Sequence, residues 1–245
     1  MADLLEIFRK YLSQPKTIAE VNATEAYNMW SETYDDQPGN LMLYLDELLF
    51  SKLLDTVDLQ NKIVYDVGCG TGRHWRKMLD KMPAKLTGFD ISKGMLLKLK
   101  AKFPSANVHE VDDNGLTGVP ERSCDVLVST LTIAHIQNIE VALKNWCRVM
   151  KLSSELIITD FHPDSLSLGA QRTFRYNNDI KAVNNYIHSV ESIKLCLFNN
   201  GFNLVQEQYR KVDEEVKEFY TSNNALHVYE RFFGVSLIYA LHFKR

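Results

Sequence analysis

An α/β fold, with an open, doubly wound and mostly parallel sheet, is what this sequence predicts. Three observations lead there. Short β-branched runs recur from residue 63 onward, helical patterns fill most of the gaps between them, and the first run ends in a glycine-rich turn, VYDVGCGTG, at 64–72. Alternation of this kind buries a parallel sheet under helices on both faces, joined by right-handed crossovers.

The elements follow in order. Leu4, Leu5, Phe8, Tyr11 and Leu12 fall on one helical stripe that a loop with Pro15 ends, and LMLYLDELLFSKLLD at 41–55 is a second amphipathic helix. The first five strands are IVYDV (63–67), LTGFD (86–90), NVHEV (107–111), DVLVST (125–130) and ELIITDF (155–161). Between most of them lie the helical patterns RHWRKMLDKM, SKGMLLKLKAKF and IEVALKNWCRVM, the last two with Ser92 and Asn138 placed to cap them. A further helix, HSVESIKLCLFNNG, closes on Gly201, and NLVQEQYR (203–210) and FGVSLIYALHF (233–243) bring the strands to seven. The segment between those two shows no helical period, so a parallel crossover is uncomfortable and the last strand is expected to run antiparallel.

One stretch, 162–186, interrupts the rhythm: QRTFRY and IKAVNNYIH flank the turn residues NND, the pattern of a small β-hairpin cap over the sheet's C-terminal edge. Alternation puts Arg172, Phe174 and Tyr176 on one face of it and Thr173 and Arg175 on the other. The expected organisation is a single domain over 1–245. It comprises an N-terminal helical lid (1–55), a ligand-binding half (56–161), the cap insertion (162–190) and a C-terminal helix with two strands (191–245).

Composition narrows the function. A chain of 245 residues that is 45% hydrophobic can bury one substantial core. The net charge is −3 and no basic stripe is visible, which argues against a nucleic-acid partner; the lysines of KGMLLKLKAK (93–102) read as a solvated helix face. Four cysteines show no CxxC and no Cys/His spacing suited to zinc, so no metal and no disulfide is expected. The N-terminus carries acids early and no stretch is apolar enough to span a bilayer, so the expectation is a cytoplasmic protein without a membrane partner, monomeric or homodimeric.

The glycine turn is the strongest functional signal. Such a turn between a strand and a helix admits positive φ, lets a ligand approach the main chain and aims free amide hydrogens at it. The glycines stand at 68, 70 and 72, with Arg at 73. That spacing is D-x-G-x-G-x-G, not the dinucleotide G-x-G-x-x-G. Asp66 places a carboxylate beside the turn, which suits a cationic ligand better than a pyrophosphate.

On these residues the sequence resembles the class I S-adenosylmethionine-dependent methyltransferases, particularly the small-molecule group of the ubiquinone/menaquinone-biosynthesis type. The resemblance implies a Rossmann-like fold, S-adenosylmethionine as cofactor with S-adenosylhomocysteine as product, and methyl transfer to an O, N or C nucleophile of a small molecule. From VYDVGCGTG it implies cofactor contacts at Asp66, Gly68, Cys69, Gly70 and Gly72. Arg73 either reaches the cofactor's carboxylate or lies on the surface. From GFDISKGML it implies Asp90, accepting from both ribose hydroxyls, and Ile91. From VDDNGL it implies Asp112 and Asp113 near the adenine, and from STLTIAHIQN it implies Ser129 and Leu131 at the methionine end. Upstream, AYNMWSETYDDQ resembles the family's lid, with Tyr34 over the cofactor and Tyr27 toward the substrate, although the same aromatics also read as one buried stripe. An aromatic face beside a sulfonium gains about 0.5–2 kcal/mol of cation–π attraction.

A general base is needed only where the nucleophile must lose a proton. His162 and His188 bracket the cap and are placed ahead of His135, which also reads as a packed residue. In the cap, Arg172, Arg175 and Tyr186 are the candidate substrate residues, an inward arginine being suited to a carboxylate or phosphate. Two rival readings stand beside this one: a non-catalytic, cofactor-binding or regulatory protein of the same fold, and an NAD-linked oxidoreductase.

Overall fold

In the computed structural model, which describes residues 18–37 and 39–245, the chain opens on a short strand, β1 (Ala19–Val21), and two helices, α1 (Ala23–Trp30) and α2 (Leu41–Asp55). The alternating part follows: β2 (Ile63–Val67), α3 (Trp75–Asp80), β3 (Lys85–Asp90), α4 (Lys93–Lys102), β4 (Asn107–Glu110), β5 (Cys124–Thr130), α5 (Ile139–Val149) and β6 (Met150–Phe161). After β6 come α6 (Pro163–Ser167), the hairpin β7 (Thr173–Tyr176) and β8 (Asp179–Val183), α7 (Val190–Asn199), β9 (Asn203–Lys211), α8 (Lys217–Thr221), α9 (Leu226–Phe232) and β10 (Ser236–Lys244).

The main sheet has seven strands in the order β4-β3-β2-β5-β6-β10-β9. The first five are parallel, and β10 runs antiparallel to both β6 and β9, the direction expected for the last strand. Strand order reverses between β2 and β5, so their C-terminal ends frame the crevice in which open α/β sheets bind ligands. Apolar layers cover both faces. Trp75 anchors one with Leu45, Leu49 and Leu99, and Trp146 anchors the other with Leu127, Ile158 and Phe202, all buried. Helix ends are capped as the residues suggest: the Ser92 and Asn138 side chains accept from Met95 N and Val141 N, and Gly201 lies at φ 82° behind α7.

The first expected helix lies outside the described residues. The cap is the expected hairpin, turned by Asn177 and Asn178 at φ 48° and 68°, the left-handed pair a two-residue turn needs. It is larger than expected, because β1 adds to β8 in parallel and makes a three-stranded sheet. Three residues, AEV, show no alternation from which that strand could be read. The connection 211–232 is not an open loop either. It folds into α8 and α9, five and seven residues long and too short to display a period, and Phe219 packs at a tilt against Tyr44 of α2, ring centroids 5.1 Å apart. Lys98 and Lys102 of α4 reach Glu32 and Asp35 of the lid at 2.6 and 3.0 Å. Exposed pairs of this kind add about 0.5 kcal/mol each.

Candidate functional site

All three turn glycines have positive φ, 72° at Gly68, 52° at Gly70 and 74° at Gly72, but they do different work. A Cβ on Gly68 would fall on the Thr132 side chain, and one on Gly72 would meet Leu99 Cγ at 2.9 Å. A Cβ on Gly70 would meet nothing within 4 Å. Two of the glycines therefore let the protein pack against itself, and only Gly70 faces open space. Gly68→Ala is expected to destabilise the fold by about 3 kcal/mol, strain and overpacking acting together. Gly70→Ala costs only the left-handed backbone, about 1 kcal/mol, and fills the cleft. Thermal melts of the two variants, with the larger loss at position 68, check this.

Asp90 ends β3 under the turn. Its Oδ2 accepts from Gly70 N at 2.7 Å and its Oδ1 from Ser92 N at 2.8 Å. Each carboxylate oxygen has capacity for a second donor. Burial pushes the Asp90 carboxyl up to about 6. Asp90 lines a narrow cleft of about 40 Å³ with Gly68, Gly70, Leu131 and Thr132, and Tyr27 and Tyr34 of the lid stand opposite. The cleft adjoins a wider cavity of about 440 Å³, the two sharing Ile91, Asn114 and His135.

Several expected cofactor residues are held elsewhere. Asp66 is buried behind the turn, where its Oδ2 accepts from Trp75 Nε1 at 2.8 Å; it fixes α3 and does not line the cleft. Arg73 turns away as well, because Asp46 of α2 claims its guanidinium. Asp46 is fully buried and also holds His74 Nε2 at 2.8 Å and the Thr159 hydroxyl. Burial opposes its charge, but Arg73, His74 and Thr159 outweigh that and hold the carboxyl well below the usual range. The network ties α2 to the glycine turn and to β6. Cys69 packs its sulfur where a Cβ on Gly88 would stand, and burial pushes the thiol well up. The Ser129 hydroxyl donates to Val67 O at 3.0 Å, a tie between strands.

In the adenine-side loop Asp112 and Asp113 are exposed on the wider cavity, and Asp113 Oδ1 accepts from Gly115 N at 2.7 Å. The residue between loop and cleft is Asn114, buried, its Oδ1 without a hydrogen-bond partner among the described residues. Sequence reasoning passed over it for the two acids beside it; nothing in VDDNGL says which of three polar residues turns inward.

The lid supplies the far wall. Tyr27, Trp30 and Tyr34 form one stripe, Trp30 lying 5.2 Å from Tyr34 and stacking at 5.0 Å on Phe174 of β7. The aromatics are thus both stripe and wall. The Tyr27 hydroxyl lies 2.9 Å from His135 Nε2, and His135 Nδ1 lies 3.0 Å from the Asn184 carbonyl. A carbonyl only accepts, so Nδ1 carries the hydrogen, Nε2 is bare and Tyr27 donates to it. Burial pushes His135 down to about 4 and the Tyr27 phenol well up.

Of the three candidate histidines, only His135 reaches the cavities. His162 caps α6, its Nδ1 accepting from Asp164 N at 3.2 Å, and lies edge-on to Tyr209 and Tyr239. His188 donates from Nε2 to Ile136 O at 2.7 Å. Neither lines the cleft or the wider cavity, because bracketing the cap in sequence does not bring both its ends to the same crevice. In the cap, Arg172 is buried and its Nη2 donates to the Tyr34 hydroxyl at 2.8 Å, whereas Arg175 is exposed on the opposite face. Tyr186 lines the wider cavity. Asp160, at the end of β6, is buried and accepts from Ala134 N and Phe161 N at 3.2 and 2.6 Å; burial pushes it up to about 7. Among the described residues no cluster of His, Cys, Asp and Glu has the makings of a metal site, and no helix is long and apolar enough to cross a membrane.

Comparison with known proteins gives these features a context. Residues 65–158 match the methyltransferase domain family. An uncharacterized methyltransferase of Emericella nidulans is 29% identical over 177 residues, covering 64% of this chain and 59% of that protein. A malonyl-[acyl-carrier protein] O-methyltransferase of Acetivibrio thermocellus is 24% identical over 187 residues, 69% of this chain and 64% of its own. Both matches span less than two thirds of the relative's length. Among solved structures, a putative S-adenosylmethionine-dependent methyltransferase from Listeria monocytogenes shares the fold with a TM-score of 0.64 at 18% identity, over 82% of this chain and 98% of that one.

Proposed function

The chain carries a class I S-adenosylmethionine-dependent methyltransferase domain, and from that premise we propose that it transfers a methyl group from S-adenosylmethionine to an O, N or C nucleophile of a small-molecule acceptor. One observation supports this reading above the rest: the buried Asp90 carboxylate, half satisfied by Gly70 N and Ser92 N, beside the one glycine of the turn whose Cβ position is open.

The residues fit the cofactor. Asp90 retains acceptor capacity for two vicinal hydroxyls, Gly70 leaves the main chain approachable, and the unpartnered Asn114 Oδ1 is suited to an amino donor on the base. These three residues would hold it, with Tyr34 across the cleft. When bound, it supplies an activated sulfonium methyl. The chain's own task is to orient the acceptor, exclude water and, where the nucleophile carries a proton, take that proton at His135 Nε2. His135 suits that role because burial keeps it neutral at pH 7 and the Asn184 carbonyl fixes its tautomer. The lid closing the cleft with Tyr27 and Tyr34 favours a small acceptor over a macromolecular one.

Calorimetric titration with S-adenosylhomocysteine, S-adenosylmethionine and NAD tests the reading. Micromolar binding of both adenosyl ligands and none of NAD is expected. Binding of NAD alone, or of nothing, overturns it.

A further inference from the structure

Arg172 has a chemistry that methyl transfer alone does not call for. It stands just before β7 on the inward face of the cap and is 4% exposed. Among the described residues its polar partner is a neutral one, the Tyr34 hydroxyl on Nη2, and its Nε is buried with no partner at all. The guanidinium is packed against the rings of Trp30, Tyr34 and Phe161, 5.2, 5.6 and 6.0 Å from their centroids. Arg73, the other arginine drawn inward near the site, is neutralised by Asp46.

Aromatic faces return part of what it costs to bury a cation, but not the several kcal/mol typical of an unpaired interior charge. Nε and Nη2 share one edge of the guanidinium, the edge that grips a carboxylate through two parallel hydrogen bonds. Here one of those donors is spent on a hydroxyl and the other on nothing. Tyr34, which holds this edge, lines the cleft beside Tyr27, and Tyr27 holds His135. The Arg172 charge is felt at both Tyr27 and His135, which puts the guanidinium near that part of the site.

We propose that Arg172 anchors a carboxylate of the methyl acceptor, so that the acceptor is an organic acid. This rests on the methyl-transfer reading and names its substrate class. The anion displaces the Tyr34 hydroxyl from Nη2 and satisfies Nε at the same time. A carboxylate matches the site better than a phosphate dianion. Asp160 and Asp46 already act on the Arg172 charge from a distance, so one further negative charge is better matched than the two of a dianion in an interior that also buries Asp90 and Asp66.

The test uses the full chain saturated with S-adenosylhomocysteine. Benzoate and succinate are the probes, with benzamide and succinamide as neutral counterparts, and the readout is the shift in melting temperature with added probe. The acids are expected to stabilise the complex and the amides not. In Arg172→Gln the acid response should weaken at least tenfold in probe concentration, with affinity for S-adenosylhomocysteine unchanged. Arg172→Lys, which keeps the charge but loses the fork, should fold and respond between the two. Equal shifts from acids and amides overturn the proposal, as does an acid response that survives in Arg172→Gln. It also fails if Arg172→Gln weakens S-adenosylhomocysteine but not 5′-methylthioadenosine, because the arginine then holds the cofactor's own carboxylate. If the wild-type chain binds no S-adenosylhomocysteine, the methyl-transfer reading itself falls and takes this one with it.

Discussion

Asp90→Asn is expected to weaken S-adenosylhomocysteine binding by about 100-fold while leaving the melting temperature unchanged or slightly higher. The two halves of that result have separate causes. Hydrogen bonds to a charged group contribute about 1.5–3 kcal/mol each, and an amide in place of the carboxylate gives up acceptor capacity toward the ribose hydroxyls. The fold, by contrast, gains. Asp90 is buried without a cation at ion-pair distance among the described residues, and burial raises its carboxyl to about 6. A raised carboxyl binds protons more readily folded than unfolded, so ionising it as pH climbs from about 4 toward 6 costs stability, and the neutral amide removes that cost. The loss of one backbone bond, from Gly70 N or Ser92 N, offsets part of the gain. Calorimetry for affinity and thermal melts at pH 7 check both halves. A variant that binds as tightly as the wild type would assign Asp90 to loop structure alone.

That a carboxylate ends β3 could be read directly from GFDIS, and so could the seven strands, the antiparallel last strand and the Asn-Asn turn of the cap. Those signals are local: β-branched runs, a glycine after a helix, two residues that tolerate positive φ. What escaped the sequence is where side chains point once elements meet. Asp66 and Asp90 have the same residue type at the ends of neighbouring strands, yet Asp66 faces Trp75 and Asp90 faces the cleft. Arg73 was open between cofactor and surface because nothing in sequence reveals that Asp46, 27 positions earlier, waits for it. The three glycines look alike in VYDVGCGTG, and only Thr132 and Leu99, brought in from other elements, separate them. The Tyr27–His135–Asn184 chain joins the lid, the turn after β5 and the cap across 108 and 49 residues, which is why the sequence ranks last the one candidate histidine that lines the cleft.

His135→Gln is accordingly expected to slow methyl transfer by 10²–10³-fold, in single turnovers with an acceptor found by screening, while S-adenosylhomocysteine affinity stays within about twofold. Glutamine keeps size and polarity but offers no basic nitrogen. Tyr27→Phe should cost less, because it frees the Nε2 lone pair while removing only the hydroxyl that occupies it. The pH dependence carries its own sign. Burial lowers His135 to about 4 from an ordinary 6.5, so the base is neutral well into the acid range and, with S-adenosylmethionine saturating so that Asp90 protonation does not limit binding, the wild-type rate should stay flat down to about pH 5. Between those two values the unfolded chain holds the proton and the folded chain does not, so this group removes stability as pH falls from about 6.5 to 4. Asp66, Asp90 and Asp160, raised by burial to about 6, 6 and 7, act in the opposite sense over much of that window. The informative quantity is therefore the difference between wild-type and His135→Gln melting curves across pH, in which the carboxylates cancel. A smaller acid-side loss in the variant, with its rate depressed, identifies His135 as the buried base. An acid limb near pH 6.5 in the wild type, or an unaltered rate in the variant, would show that the proton leaves by another route.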